Sequence, residues 1–237
     1  MLLDPNKLEH DLQRLEAIEK ASLRLVVQAL YDYREAAQEI FREERDLVAD
    51  IGEDITREAL DRMGMSRIDQ RLFGKIDYKQ ARYLFHPEFA VKQALFVDSK
   101  AEKMTGRQTA TLQTSQFSMK VRQKRAGQLL EVPGRLPTVL HARGHDLITT
   151  TIFVKYNYRV CNGENVLASI TVSAVPNGFL QDIYNPTVDD TIWLAGRNAP
   201  SRGEAFRVRL SFARLKQKAR WRVQEIPMPP ETFIWDE

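Results

Sequence analysis

The chain has 237 residues, of which 43% are hydrophobic and 28% are charged, and its formal net charge is +3. This composition is typical of a globular protein and excludes a disordered, collagen-like or disulfide-rich chain. There is no run of about 18 apolar residues, and the start, Met-Leu-Leu-Asp-Pro, lacks the basic-then-apolar pattern of a signal peptide. We therefore expect a cytoplasmic protein without a membrane span, and the single cysteine, Cys161, agrees with a reducing compartment.

The small net charge hides two regions of opposite sign. Residues 1–66 hold 9 Lys and Arg against 16 Asp and Glu, whereas residues 67–237 hold 26 against 16. Nine of the later basic residues fall between Arg197 and Arg222. Such a bias suits a polyanion such as nucleic acid, because each phosphate that is neutralised releases counterions. A solvated basic face is the other interpretation of the same residues.

The first quarter of the chain predicts helices. Asp4-Pro5 is a favourable start, since Asp can cap a helix and Pro is tolerated in its first turn. Apolar residues at helical spacing from Leu8 to Phe41 predict one long or two consecutive helices as far as about Asp50. A shorter helix is expected over residues 54–63, ended by Gly64. The apolar stripe favours a core or a subunit interface over a ligand site.

The pattern then changes to that of strands. Residues 72–85 and 91–100 are predicted to form a pair, because His86-Pro87-Glu88 between them is typical of a turn. The Gln- and Thr-rich residues 107–125 indicate a polar helix or loop, and residues 127–144, which contain Pro and Gly, indicate an irregular connection.

The last part of the chain predicts a hairpin and one further strand. Residues 148–160 and 166–175 are rich in β-branched residues, and Asn162-Gly163 between them is a hairpin turn signal. Residues 177–184 fit one or two helical turns, and residues 205–212 fit a strand. We expect one α/β domain over residues 1–237, with an acidic helical layer in 1–66 and the basic remainder in 67–237.

One stretch combines a buried strand with charge. The run Ala94-Leu95-Phe96-Val97 is apolar enough to be covered on both faces, and Asp98-Ser99-Lys100 follows it at once. Because side chains alternate along a strand, Asp98 and Lys100 are predicted on one side, with Ser99 turned away. Asp77 lies on the preceding limb of the strand pair. Asp77, Asp98 and the Ser99 carbonyl are hard oxygen ligands that suit Mg²⁺, beside which Lys100 could orient an attacking water.

This acid-x-Lys pattern is short and arises easily by chance in a charged chain. Asp77-Tyr78-Lys79 is a second instance. The flanking residues favour Asp98, since it follows an apolar strand, whereas Gln80, Ala81 and Arg82 after Lys79 indicate a more exposed limb.

Five further blocks of the chain stand out, and they are Gly74-Lys75-Ile76-Asp77-Tyr78-Lys79, Leu95 to Ala101, Thr150 to Val154, Tyr184-Asn185-Pro186 and Arg202-Gly203-Glu204 through Lys216. Taken in this order, the blocks resemble the SfiI-type rare-cutting restriction endonucleases, and the resemblance runs from the N-terminal helix to about Gln224. The resemblance implies the PD-(D/E)XK nuclease core, a mixed central sheet flanked by helices, here with a helical N-terminal layer and a C-terminal β-rich DNA-reading part. Ile76 stands where the nominal pattern has Pro, a position without chemistry.

The resemblance also implies roles for particular residues. Asp77 and Asp98 become Mg²⁺ ligands with the Ser99 carbonyl, and Asp77, Asp98 and Lys100 form the catalytic set. Glu53 or Asp54 is a candidate fourth acid, although an acid interacting with the helix dipole explains either equally well.

Sequence recognition is expected from basic residues late in the chain. Arg207 and Arg209 lie two apart on a predicted strand, and Arg can donate two hydrogen bonds to guanine in the major groove. Phosphate contact, or an ion pair with Glu204, is the alternative. The further DNA-binding candidates are Arg197, Arg202, Lys216 and Lys218, and Arg220 and Arg222 are expected to contact the DNA backbone.

The resemblance implies a type II restriction endonuclease of a restriction-modification system. Such an enzyme would cut double-stranded DNA with Mg²⁺ at an interrupted, G·C-rich palindrome with GGCC-type half-sites. A homotetramer is implied, with a dimer as the simpler assembly. The alternatives are a structure-selective nuclease of the junction resolvase type and a non-catalytic DNA-binding protein.

Overall fold

The computed structural model describes residues 2–44, 48–66, 81–104, 106, 108–142, 144–194 and 206–237. Three residues predicted for the site, Asp77, Arg197 and Arg202, lie outside the described residues, as does Glu204. Within the described ranges, no helix is both long and apolar enough to cross a lipid bilayer.

Five α-helices form in these ranges. They are α1 (Leu12–Asp32), α2 (Arg34–Glu43), α3 (Val48–Arg62), α4 (Gln181–Tyr184) and α5 (Phe212–Lys218). The predicted start at Asp4-Pro5 is that of a 3-10 turn, Pro5–His10, whereas α1 begins after Asp11, whose carboxylate accepts the N–H of Arg14 at 3.2 Å. The third helix begins at Val48, earlier than predicted, and the predicted stop at Gly64 is confirmed by its φ of 73°.

The described residues contain eleven strands. They are β1 (Arg82–His86), β2 (Val91–Lys103), β3 (Thr109–Gln113), β4 (Val121–Arg125), β5 (Gln128–Val132), β6 (Val139–Ala142), β7 (His145–Cys161), β8 (Glu164–Val175), β9 (Trp193–Leu194), β10 (Arg207–Ser211) and β11 (Val223–Pro227). Six of them form a sheet in the order β1-β2-β7-β8-β11, with β6 also paired to β7. The β2–β7 pair is parallel and the other pairs are antiparallel, so the sheet is mixed.

Two predictions of irregular structure were wrong. Residues 107–125 contain β3 and β4, and residues 127–144 contain β5 and β6. Strand β3 is amphipathic, with Ala110 and Leu112 buried between half-exposed polar residues. Two apolar residues are too few to reveal the alternating pattern of a strand in the sequence. Ala126 and Gly127, both at positive φ, form the turn that joins β4 to β5. Ala in that position is not a strong hairpin signal.

Two hydrophobic clusters cover the two faces of the central sheet. In one, apolar residues of α1, α2 and α3 pack against Leu95 and Val97 of β2 and Ile152 and Val154 of β7. In the other, Phe153 packs with residues of the smaller sheet, whose strand order is β3-β10-β9. Each fully buried aliphatic side chain contributes about 1.5–3 kcal/mol. The end of β2 is therefore held between a helical layer and a second sheet.

Candidate active site

The Asp98-Ser99-Lys100 stretch lies in the second half of β2. The preceding residues Ala94 to Val97 are buried, as the apolar run predicted. Here β2 stays paired with β7 as far as Lys103, whereas its register with β1 reaches only Leu95. A strand in the middle of the sheet thus carries the charged residues beyond the part that pairs with the described residues of β1.

Alternation along β2 separates the three side chains as expected. Lys100 Nζ lies 3.8 Å from Oδ2 of Asp98, so the two charges share one face. The Ser99 hydroxyl points to the opposite face and donates to Oγ1 of Thr56 at 2.7 Å. Thr56 is also 2.7 Å from the hydroxyl of Tyr156. This buried chain of hydroxyl groups fixes β2 against α3.

The close approach of α3 to β2 depends on Gly52. A Cβ at this position would lie 3.0 Å from Cδ2 of Tyr156 and 3.3 Å from the backbone nitrogen of Ala101. Both distances are tighter than usual for a Cβ, so a side chain here would displace its neighbours by a few tenths of an ångström, whereas glycine lets the helix lie directly on the strand. Helix α3 therefore packs against the backbone of β2 at Lys100 and Ala101.

Burial dominates the electrostatics of Asp98. Its side chain is only 20% exposed, and desolvation raises its pKa above the ordinary value. Lys100, the side chain of Gln116 and the backbone N–H of Ser99 oppose this effect and favour the charged form. Its Oδ2 atom is buried without a hydrogen-bond partner among the described residues. A buried carboxylate oxygen of this kind fits a cation, because a hard divalent ion would offset the cost of burying the charge.

Lys100 is held by the smaller sheet. Its Nζ donates to the carbonyl oxygen of Thr111 at 2.6 Å and lies 5.5 Å from the centre of the Phe153 ring. The side chain remains 37% exposed. Lys100 is therefore fixed at its tip and still open to solvent on one side.

A second lysine lies beside this pair. Lys155 of β7 is directly opposite Lys100 in the parallel ladder, and its side chain is 5% exposed. It forms an ion pair of 2.9 Å with Glu102. The sequence analysis did not single out Lys155, because residues 148–160 were interpreted only as one strand of a hairpin. A lysine within a strand rich in β-branched residues was the available signal.

The acids of α3 lie behind the strand. Thr56 bonds to Ser99, so α3 covers the face of β2 opposite to the Asp98 carboxylate. The Glu53 and Asp54 side chains are exposed, and Asp54 is 2.6 Å from Arg57 in an ion pair. Within the described part of the chain, no three acidic, histidine or cysteine side chains come together as a metal site. Glu53 and Asp54 thus belong to the helix that covers the face of β2 opposite to the Asp98 carboxylate, and Asp77 lies outside the described part of the structure.

The two arginines predicted to read bases lie on one face of β10. Arg207 and Arg209 are half-buried, whereas Val208 and Leu210 between and beyond them are fully buried. Across the ladder Arg207 faces Gln113 and Arg209 faces Thr111. The face that carries Arg207 and Arg209 therefore also carries polar residues of β3.

The remaining basic residues have partners within the chain. Lys216 and Arg220 both pair with Asp236, at 3.0 and 2.7 Å. Lys218 pairs with Asp190 at 2.7 Å and donates to the carbonyl oxygen of Ile183 at 2.9 Å. Each of these surface partners could be exchanged for phosphate at little cost.

For Arg222 the prediction of a DNA backbone contact was wrong. Its side chain is fully buried and donates to Glu19 at 2.7 Å and to Glu16 at 3.2 Å. Positive charge alone does not reveal burial, and the two acids that neutralise this arginine lie about 200 residues earlier in the chain.

A mixed sheet flanked by helices, with an Asp-x-Lys pair at the end of a buried strand, is the arrangement expected of a nuclease of the PD-(D/E)XK class. The family model described as type II restriction enzyme SfiI matches residues 24–226. The chain belongs to this family of type II restriction endonucleases, and it is accordingly a site-specific deoxyribonuclease.

Known relatives agree with this assignment. The type II restriction enzyme SfiI of Streptomyces fimbriatus is 36% identical over 233 residues, which span 92% of this chain and 86% of the relative. The crystal structure of tetrameric SfiI bound to cognate DNA matches with a TM-score of 0.82 and 34% identity, over 98% of this chain and 90% of that one. The restriction endonuclease BglI, bound to its DNA recognition sequence, matches with a TM-score of 0.76 over 95% and 94% of the two chains. Its identity of 17% supports the fold alone.

Proposed function

We propose that this enzyme hydrolyses double-stranded DNA at an interrupted, G·C-rich palindrome with GGCC-type half-sites, and that it requires Mg²⁺. The observation that carries the proposal is the Asp98–Lys100 pair at the end of β2, in a chain of the SfiI family. SfiI itself has been crystallised with cognate DNA, and the similarity covers nearly the whole of both chains.

The metal ligands in this proposal are Asp98, the Ser99 carbonyl and Asp77. Asp77 lies five residues before β1, which borders β2, so the sequence keeps it within reach of Asp98. Glu53 remains a candidate fourth acid, although α3 lies on the other face of β2. Bound Mg²⁺ would supply Lewis-acid activation of water and neutralise charge on the scissile phosphate.

The chain's own residues have separate tasks. Asp98 provides a desolvated carboxylate that is costly to keep charged without a cation. Lys100, fixed by the Thr111 carbonyl, places its ammonium group beside Asp98, where it can orient the attacking water and stabilise the negative charge that develops on phosphorus. Removing one such preorganised donor typically costs about 100- to 1,000-fold in rate.

Sequence reading is assigned to Arg207 and Arg209, because both lie on one face of a strand that could enter the major groove. Arg197 and Arg202 are proposed as further DNA contacts from the sequence alone. Lys216 and Lys218 would contact phosphates by leaving Asp236 and Asp190.

The proposed assembly is a homotetramer, as in the SfiI–DNA structure, with a dimer as the smaller possibility. We also propose that residues 1–237 act as one domain, because one hydrophobic cluster contains both the N-terminal helices and the central sheet. The enzyme is proposed to work in the cytoplasm, where a restriction-modification system meets incoming DNA.

The test is incubation of the protein with a sequence-rich plasmid and Mg²⁺. Discrete fragments are expected, and sequencing their ends gives the recognition site, spacer and overhang. Cutting confined to branched DNA would instead show a junction resolvase, and binding without cutting would show a non-catalytic protein. Asp98→Ala should abolish cleavage while DNA binding stays largely intact. Retained cleavage would contradict the assignment of Asp98 as a metal ligand.

A further inference from the structure

Three charged side chains follow one another on one face of β2. They are Asp98, Lys100 and Glu102, each two residues from the next, so alternation along the strand places them in a row. Lys100 therefore lies between two acids, each about 7 Å away along the strand. Its Nζ is 3.8 Å from Oδ2 of Asp98, whereas the carboxylate of Glu102 pairs with a different lysine. The two acids of the row thus have separate cations.

The partner of Glu102 is Lys155 of β7. Lys155 lies directly opposite Lys100 in the parallel ladder, so Glu102 is its diagonal neighbour on the same face of the sheet. The distance between Lys155 Nζ and Glu102 Oε2 is 2.9 Å. The Lys155 side chain is only 5% exposed, whereas that of Glu102 is 39% exposed. The buried ammonium group therefore holds a carboxylate that could otherwise turn along the strand toward Lys100.

Strand β3 fixes the tips of both lysines. Lys100 donates to the carbonyl oxygen of Thr111 at 2.6 Å, and Lys155 donates to that of Thr109 at 3.4 Å. Because Thr109 and Thr111 are two residues apart, their carbonyl oxygens point to the same edge of β3, which is the edge opposite to β10. Each ammonium group therefore has its own acceptor, and the two lysines are kept in separate positions.

We propose that Lys155 is a positioning residue for Lys100, a role that rests on the proposed function of Lys100. Lys155 keeps the carboxylate of Glu102 on the β7 side of the row, and the ammonium group of Lys100 consequently stays beside Asp98. Without Lys155, Glu102 would have Lys100 as its neighbouring lysine on the same face of β2, and the two would form a charged hydrogen bond. This bond would draw the ammonium group away from Asp98. A misplacement of about 1 Å in an active site can cost about 100-fold in rate.

The test compares single-turnover cleavage rates of the full chain on a duplex that contains the mapped recognition site, with Mg²⁺. Lys155→Met should cut about 10- to 100-fold more slowly, because Glu102 then competes for Lys100. DNA affinity without metal should not change, since the Lys155 side chain is almost fully buried. Lys155→Met combined with Glu102→Gln should recover most of the lost rate, because the competing charge is removed. Failure of the second substitution to recover the rate would overturn the proposal.

The single Glu102→Gln variant separates positioning from a direct role of the acid. It should cut at about the native rate, because it leaves Lys100 beside Asp98. A loss as large as that of Lys155→Met would give Glu102 a direct part in cleavage and contradict the proposal.

A matched variant controls for the loss of a buried cation. Arg222→Met removes a fully buried arginine that pairs with Glu19 at 2.7 Å, and it should keep its cleavage rate at a temperature at which it is folded. A loss of rate equal to that of Lys155→Met would indicate general damage and overturn the proposal. If Lys155→Met does not fold, Lys155→Gln is the deciding variant, since it removes the charge and keeps a polar side chain. It should also cut more slowly and recover with Glu102→Gln.

The outcomes separate this inference from the proposed function. Lys100→Met that still cuts at the native rate would overturn both. A slow Lys100→Met, together with a native rate in Lys155→Met, would overturn only the role of Lys155. If Lys155 acts through Lys100, Lys155→Met should cause no further loss of the residual rate in the Lys100→Met background. An equal further loss in that background would contradict the proposal.

Discussion

Lys100 donates a hydrogen bond of 2.6 Å to the carbonyl oxygen of Thr111. Thr111 is also the residue that faces Arg209 across the β3–β10 ladder. One residue of β3 thus joins the candidate catalytic lysine to the strand proposed to read bases.

Replacement of the lysine tests its catalytic role. Lys100→Met should lower the single-turnover cleavage rate by about 100- to 1,000-fold, because it removes a positive charge placed where negative charge develops. DNA affinity measured without metal should change little. Lys92→Met is a matched control, since Lys92 lies at the other end of β2 and contacts His145 at 3.1 Å. An equal loss of rate in both variants would indicate damage to the strand.

Neutralising the buried carboxylate should stabilise the protein at the expense of activity. Burial raises the pKa of Asp98 from its ordinary 3.8, so the folded state keeps the proton to a higher pH than the unfolded state does. The stability of the native sequence therefore falls as pH rises through the folded pKa. Asp98→Asn should raise the melting temperature at neutral pH by a few degrees, and this gain should disappear below about pH 3.8.

Metal addition gives the matching control for that carboxylate. Mg²⁺ or Mn²⁺ should raise the melting temperature of the native sequence, because binding to the folded state alone stabilises it. The same addition should have little effect on Asp98→Asn. Equal stabilisation of the two proteins by metal would contradict the assignment of Asp98 as a ligand.

The geometry of the β2 end could be predicted from the sequence, because alternation along a strand is a local rule. Asp98 and Lys100 share a face and Ser99 points away, as expected. Gln116 and Lys155 could not be placed in the same way. Gln116, whose side chain helps to lower the pKa of Asp98, lies in the turn between β3 and β4, and the position of Lys155 beside Lys100 depends on the parallel register of β2 with β7.

Arg222 shows why positive charge in the sequence does not by itself predict a DNA contact. It belongs to a basic cluster in sequence, but its neutralising partners, Glu16 and Glu19, come from α1. Such a pairing between the first helix and the end of the chain leaves no local pattern. The predicted basic DNA-binding region therefore wrongly included Arg222.

The buried ion pair leads to a prediction about stability. Arg222→Met should destabilise the fold by about 3–5 kcal/mol, because it leaves the carboxylate of Glu19 buried without a cation. Urea unfolding measures the change. The control is Arg220→Met, since Arg220 is 70% exposed and its pair with Asp236 lies at the surface. Adding Glu19→Leu to Arg222→Met should restore part of the loss, because the fully buried carboxylate is then removed and the remaining acid, Glu16, is 30% exposed.

The β10 arginines lead to a prediction about specificity. Arg207→Ala and Arg209→Ala should each reduce discrimination between the cognate site and a site with one altered base pair by about 1–3 kcal/mol. The ratio of kcat/KM values for the two duplexes measures this. Lys218→Ala is the comparison, because loss of a phosphate contact should weaken binding to all sequences and lower its salt dependence. Uniform weakening in the arginine variants would assign them to phosphate contact as well.

The side-chain carboxylate of Asp236 leads to a prediction about pH. Lys216, and then Arg220, hold the pKa of Asp236 below its ordinary 3.8, so the charged form is favoured in the folded state. The contribution of this carboxylate to stability is present above pH 3.8 and is lost as pH falls through the lower folded pKa. Asp236→Asn should therefore lower stability at pH 7 by about 0.2–1 kcal/mol, the range for exposed ion pairs, and this loss should shrink progressively as pH falls below 3.8.

The same variant also examines Lys216 and Arg220, because it releases both from their ion pairs with Asp236. If either residue contacts phosphate, Asp236→Asn should tighten nonspecific DNA binding at low salt and make the salt dependence steeper, since more counterions are displaced. Glu237→Gln is the control, because Glu237 pairs with Lys20 and Arg24 of α1 instead. An identical gain in both variants would mean that the loss of negative charge alone, rather than the release of Lys216 and Arg220, strengthens the binding.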